Sequence, residues 1–190
     1  MVMEYFPKGG VTRPITPRIT KAELEWTANK LLLGAGAGAD PTEIDVPGGA
    51  TIVRKTANQT VNNSIVLVND TALLFAIAAN EVWEFTLIPI HNSGTTPDIK
   101  FCIIGPAGAS AYYIAVHENS LGAVALDRGI LGDEITFGGT ASNRITGTIK
   151  GIVINGATAG NLQLQWAQAT ANASNTIVLA NSCLIANRLA

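Results

Sequence analysis

From about residue 50 onward, apolar positions recur every second residue. In Leu162-Gln-Leu-Gln-Trp166 the leucines and the tryptophan face one way and the glutamines the other. Asp98-Ile-Lys-Phe-Cys-Ile-Ile104 sets Ile99, Phe101 and Ile103 on one face, and Trp83-Glu-Phe-Thr-Leu87 sets Trp83, Phe85 and Leu87 opposite Glu84 and Thr86. Arg144-Ile-Thr-Gly-Thr-Ile-Lys150 opposes Ile145 and Ile149 to Arg144, Thr146, Thr148 and Lys150. Successive side chains of a strand point to opposite faces, so period two marks half-buried antiparallel strands. Turn residues separate the runs: Asn69-Asp70, Asn92-Ser-Gly-Thr-Thr-Pro97, Gly105-Pro-Ala-Gly108, Leu131-Gly-Asp133, Gly138-Gly139 and Asn155-Gly156. About nine or ten such strands, with no convincing helix among them, predict an all-β chain: an antiparallel β-sandwich of the jelly-roll type. Ser64-Ile-Val-Leu-Val68 and Leu73-Leu-Phe-Ala-Ile-Ala78 are apolar on both faces. A sandwich strand needs only one dry face, so these predict packing against an arm or another subunit.

Residues 1–48 follow a different pattern. Five of the eight prolines fall here, at positions 7, 14, 17, 41 and 47, and five of the twelve basic residues lie in the first 30. Val11-Thr-Arg-Pro-Ile-Thr-Pro-Arg-Ile-Thr20 alternates like an extended segment, but its prolines bar it from a central strand. The expected organisation is therefore an extended Pro/Gly-rich arm and linker over 1–48 and a β-sandwich domain over 49–190. Thr20-Lys-Ala-Glu23 has capping-box spacing, which allows a short helix from about Lys21 to Leu32, ended by Gly34-Ala-Gly-Ala-Gly38. A strand at Lys30–Leu33 feeding a glycine turn is the alternative.

Composition narrows the function classes. Hydrophobic residues make up 47% and charged residues 14% of the 190 positions, which excludes a disordered chain and a coiled coil. A formal net charge of −2 provides no basic field for nucleic acid. The longest apolar run, Ala72 to Ala79, is too short to span a membrane, and Met1 to Pro7 has neither the basic nor the apolar region of a secretion leader. Synthesis in the cytoplasm is expected. A mean hydropathy of +0.29 without a membrane span suggests surface buried against other subunits.

No motif in the chain predicts catalysis, a cofactor or a metal. Gly34-Ala-Gly-Ala-Gly38 is followed by Ala39-Asp40 rather than the Lys-Ser/Thr of a phosphate loop, so it reads as a turn. His91 and His117, with Cys102 and Cys183, lack any close ligand spacing; the histidines read as surface residues at loop ends and the cysteines as buried free thiols. There is no Gly-x-Ser-x-Gly elbow, and Asp133-Glu134 falls in a turn where a solvated role is expected. Trp83 and Trp166 keep the apolar phase of their strands and are expected in the core, whereas Tyr112 and Tyr113 must point to opposite faces. Trp26 stands in the arm as a candidate intersubunit anchor.

Two stretches carry a family resemblance. Ala28-Asn-Lys-Leu-Leu-Leu-Gly-Ala-Gly-Ala-Gly-Ala-Asp-Pro-Thr-Glu-Ile-Asp-Val46 resembles a linker of phage tail-fibre and other virion proteins. Val53–Ser64, Ala79–Phe85, Gly94–Lys100 and Leu162–Gln168 together look like a β-sandwich module of tailed-phage structural proteins. The resemblance implies a non-enzymatic virion protein, a capsid decoration or cement protein that self-associates as a trimer. On this reading the arm binds the major capsid protein through Tyr5, Phe6, Ile15, Ile19 and Trp26. Because Glu4, Glu23 and Glu25 leave the first 30 residues only two charges positive, apolar contact is expected to dominate that attachment. The rival expectation is a fibre or spike module that binds host glycan through exposed aromatics and Asn/Asp-rich loops.

Overall fold

The computed structural model describes residues 30–33, 42–45, 50–140 and 144–190. The chain divides into two units, Met1–Val46 and Pro47–Ala190. In the first, β1 (Lys30–Leu33) pairs antiparallel with β2 (Thr42–Asp45), Lys30 opposite Asp45 and Leu33 opposite Thr42. The strand alternative for residues 30–33 is the one realised; a helix reaching Leu32 is not. Residues 21–29 and the glycine run at 34–38 lie outside the described residues, as do Tyr5, Phe6, Ile15, Ile19 and Trp26.

The second unit is all β. Its strands are β3 (Thr51–Arg54), β4 (Gln59–Asn62), β5 (Val68–Ile77), β6 (Val82–Ile88), β7 (Ile90–Asn92), β8 (Ile99–Ile104) and β9 (Ser110–Glu118). They are followed by β10 (Val124–Ile130), β11 (Glu134–Phe137), β12 (Ile145–Thr146), β13 (Thr148–Ile154), β14 (Gly160–Gln168), β15 (Asn175–Val178) and β16 (Cys183–Arg188). The pairing is nested. β3 pairs with β16, β5 with β14, β6 with β13 and β8 with β11, all antiparallel. The outgoing half of the chain thus forms one long hairpin with the returning half, and successive strands alternate between two sheets. This is the winding of a jelly roll.

One sheet has the order β10-β9-β13-β6-β16-β3 and the other β11-β8-β14-β5. A third, β12-β7-β15-β4, is built from strands in four of the connections that cross between the main sheets. The β9–β10 hairpin is inserted between β8 and β11 and widens the first sheet by two strands.

The core lies between the two main sheets and follows the period-two reading closely. Trp83, Phe85 and Leu87, then Ile99, Phe101 and Ile103, then Leu162, Leu164 and Trp166 are all buried. Ile145 and Ile149 are buried as expected, but Gly147 separates them into two strands. A side chain at Gly147 would run into the Phe137 ring, so glycine is required there.

Three expectations need correction. Ser64–Leu67 is a loop that leaves Ile65 and Val66 exposed, rather than part of a two-faced strand. The polar face of β14 is only partly solvated: Asn161 is exposed and Gln165 half-buried, but two of the strand's glutamines are withdrawn from water. Gln163 is buried, its Nε2 donating to the carbonyls of Asp70 at 3.0 Å and Leu164 at 2.8 Å. Gln168 is also buried and ties two loops together: its Oε1 accepts from the amides of Ser64 and Asn172, and its Nε2 donates to the carbonyl of Ser174. The third correction concerns the histidines and is taken up below.

Candidate functional site

The outer face of the six-stranded sheet is where the chain departs from ordinary sandwich chemistry. β9 alternates strictly: Ala111, Tyr113, Ala115 and His117 point inward and are buried, and Tyr112, Ile114 and Val116 point outward and are exposed. The register extends that outward set sideways. Ile130 and Leu126 of β10 stand opposite Tyr112 and Val116, while Ile152 of β13 stands opposite Tyr112 on the other side. With Ile154 these seven side chains are each 41–65% exposed, and Val124 at the start of β10 reaches 82%. An open groove of about 700 Å³ runs across Tyr112, Ile114, Ile130, Ile152 and Ile154, bordered by Arg128, Lys150 and Asp133. The outer face of an antiparallel sheet is normally polar; a contiguous apolar one marks an interaction surface.

Charges of both signs punctuate this face. Arg128 and Lys150 bracket Ile114 in one cross-strand row, and Glu84 follows Tyr112 and Ile152 in the next. Glu118 stands beside Val124. β10 is the last strand of the sheet, so it also presents an open edge.

The sequence sends Tyr112 and Tyr113 to opposite faces without deciding which is outside; in the structure Tyr112 is exposed and Tyr113 is buried, with its hydroxyl 3.3 Å from the carbonyl of Asp133. The expected two-faced runs, however, were located elsewhere. The signal that marks the true ones is the unbroken apolar stretch Tyr112-Tyr-Ile-Ala-Val116 together with the Ile130 and Ile152 that pair beside it.

The histidines are not surface residues. Both are buried, and both pack on Phe137. The His117 ring stacks on Phe137 at 4.2 Å and 3°, with Nε2 2.7 Å from Asp127 Oδ2 and Nδ1 3.0 Å from the Glu118 carbonyl. His91 Nε2 donates to the Gly138 carbonyl at 3.1 Å, and its Nδ1 has no partner among the described residues. Continuing the β9 alternation from Tyr113 through Ala115 would have placed His117 inside; nothing in the sequence marks His91.

Burial holds the His91 pKa below the ordinary imidazole value; the hydrogen bond to Gly138 opposes that shift and the nearby His117 reinforces it. His91 therefore binds its proton less readily folded than unfolded. Stability should be full above about pH 6.5 and fall as pH drops below it, by no more than about 1.4 kcal/mol per pH unit from this group. Thermal melts between pH 7.5 and 5 should show that slope, and His91→Gln should flatten it; an unchanged slope would remove His91 as its origin.

Among the described residues, no group of three or more His, Cys, Asp or Glu side chains is arranged to hold a metal ion. Cys102 on β8 is buried and Cys183 on β16 half-buried, in different sheets, and both are free thiols. Burial pushes the Cys102 thiol pKa up, which keeps it protonated and unreactive. Asp133 and Glu134 are exposed as expected, but only Asp133 belongs to the turn; Glu134 is the first residue of β11 and accepts from Lys100 at 2.9 Å.

No protein-family model matches the chain, and no curated protein matches it. Among solved structures, the chain is similar to the infectious bursal disease virus VP2 subviral particle, at a TM-score of 0.18 and 8% identity over 84% of this chain and 45% of that one. It is also similar to the structure of the Gx strain of the same virus, at a TM-score of 0.14 and 8% identity over 84% of this chain and 43% of that one. The chain spans less than half the length of these proteins.

Proposed function

We propose that the chain is a non-enzymatic virion structural protein: a capsid decoration or cement protein that self-associates, as a trimer, and attaches to the major capsid protein through residues 1–48. The observation that carries this reading is the apolar outer face of the six-stranded sheet. A jelly roll whose core is already filled has no folding use for a second apolar surface, and leaving it in water is unfavourable. Its use is association. The low charge of the whole chain suits a protein that works within an assembly rather than alone.

The glycan-binding alternative has less support. Among the described residues, the polar groove that suits a sugar best holds about 440 Å³ and is lined by Asn92, Thr95, Pro97, Asn172 and Ser174 with their neighbours. It contains no aromatic ring for a sugar face to stack on. Among the described residues, the exposed aromatic ring is that of Tyr112, which lies on the sheet face and does not line that groove.

Deleting residues 1–27 tests the attachment. The truncated chain should remain soluble and β-rich by circular dichroism and should no longer co-sediment with capsids. A folded truncation that still decorates capsids would move the attachment site onto the sandwich. An insoluble one would assign the segment to the core.

A further inference from the structure

We infer that the outer face of β9, β10 and β13 is the surface on which a second copy of this chain docks. This rests on the self-association proposed above and adds the place where it happens.

The area argues for a full protein partner. The eight exposed apolar side chains of this face together present on the order of 700 Å², more than the ~300–600 Å² of a typical monomer's largest apolar patch. That is close to the ~800 Å² that each partner contributes to a standard stable interface. A peptide laid along the groove would cover only part of it, because the exposed residues span three adjacent strands and continue to the β10 edge.

The charges argue for a copy of the same chain. A partner of one sign would satisfy either Arg128 and Lys150 or Asp133 and Glu118, which border the same face, and would desolvate the other pair without compensation. A second copy brings both signs on the same face, and self-complementarity of this kind is what interfaces between identical subunits require. Tyr112, at the centre of the row formed with Ile130 and Ile152, is the anchor: it is large, rigid and amphipathic, and it is 65% exposed in the single chain.

The rest of the first sheet's outer face differs. Across β6 and β16 it becomes mixed, with Glu84 bonded to Asn187 and Thr86 opposite Ile185, and Ile52 on β3, opposite the half-buried Ile185, is exposed at the far edge. Ile52 therefore serves as a control.

Sedimentation velocity of the full chain from 1 to 100 µM tests the assignment. The wild type should be oligomeric. Ile114→Lys/Ile152→Lys should raise the dissociation constant at least about 100-fold, as loss of hot-spot contacts does, with an unchanged circular dichroism spectrum. Ile52→Lys should leave the assembly intact. If the lysine variant misfolds, Ile114→Thr/Ile152→Thr keeps strand propensity and should weaken association in the same direction. In the unmutated protein, Tyr112 should lose its reactivity toward tetranitromethane as concentration rises through the dissociation constant. A wild type that stays monomeric throughout would overturn both this assignment and the self-association beneath it. An oligomer in which the Ile114 and Ile152 variants still assemble, or in which Tyr112 stays reactive, would overturn the assignment alone and leave self-association to another face.

Discussion

Replacing Lys55 with alanine is expected to destabilise the sandwich by about 3–5 kcal/mol, the cost of leaving one member of a buried ion pair alone. For a chain of this size that corresponds to a fall in melting temperature of roughly 10 °C or more. Lys55 follows β3 directly, and its ammonium is almost wholly buried. It donates to both oxygens of Asp70 at 3.0 and 2.9 Å, to Gln59 Oε1 at 3.1 Å and to Thr71 Oγ1 at 3.2 Å. Asp70 also accepts from the amides of Ala72 and Leu73, both at 2.9 Å, inside β5 where its register with β14 shifts. Removing the lysine leaves a carboxylate without its counter-charge in a dry site. Asp70→Ala should cost at least as much, because it strands the ammonium and two backbone amides together. The double variant Lys55→Met/Asp70→Asn should recover much of the loss. It removes both charges, keeps the aliphatic stem's volume and leaves an oxygen to accept from Ala72 and Leu73. Thermal and urea unfolding measure all three. A Lys55→Ala variant within 1 kcal/mol of wild type would mean the pair is solvated and structurally idle.

A loss of similar size, about 3–5 kcal/mol, is expected for Trp166→Ala, as for other large-to-small changes in a core. Among the described residues Trp166 is the largest fully buried side chain; it sits on β14, directly opposite Phe101 of β8 and Val68 of β5. Alanine would leave a cavity between strands whose pairing on both sides limits how far they can close. Trp166→Phe should cost much less than the alanine change. Its smaller ring loses some contact, but it also removes an indole N–H that has no hydrogen-bond partner among the described residues, and burying an unmet donor is unfavourable. If phenylalanine were as damaging as alanine, the indole nitrogen would have to be making a bond that the geometry does not show.

These two sites differ in how far they could be read in advance. Trp166 was legible, because Leu162, Leu164 and Trp166 share one phase of a strand and a strand in a sandwich needs one dry face. The Lys55–Asp70 pair was not. Lys55 lies in Val53-Arg-Lys-Thr56, a polar stretch that ends a strand, and Asp70 lies in Asn69-Asp70, which has the chemistry of a turn. Nothing local distinguishes them from solvated residues. The two meet because the corner strand β4 and the shifted register of β5 fold over them. Gly138 is similar. Gly138-Gly139 reads as a flexible turn, yet a side chain at Gly138 would overlap the backbone of Asn119, and the Gly138 carbonyl is the one His91 binds. The requirement for glycine comes from a segment some 20 positions away in the chain.

The candidate face was half legible. Period two in Tyr112-Tyr-Ile-Ala-Val116 obliges one of every two residues to point out, and all of them are apolar, so an exposed apolar row follows from the sequence alone. Whether that row stands isolated or joins others depends on which strands lie beside β9. The pairing of β10 and β13 with it, in registers that align Ile130 and Ile152 with Tyr112, turns three ordinary strands into one continuous patch.

The sequence by itself determined the secondary structure class and the dry face of most strands, because side-chain alternation is a property of each strand's own backbone and requires no knowledge of its neighbours. Only the tertiary structure decided the nested jelly-roll pairing, the burial of His91, His117, Lys55, Asp70 and Gln168, and the lateral extent of the apolar face. Those depend on contacts between segments far apart in the chain, whose free energy is set by mutual shape and by whether each buried polar group finds a partner, and a one-dimensional pattern of hydrophobicity carries neither.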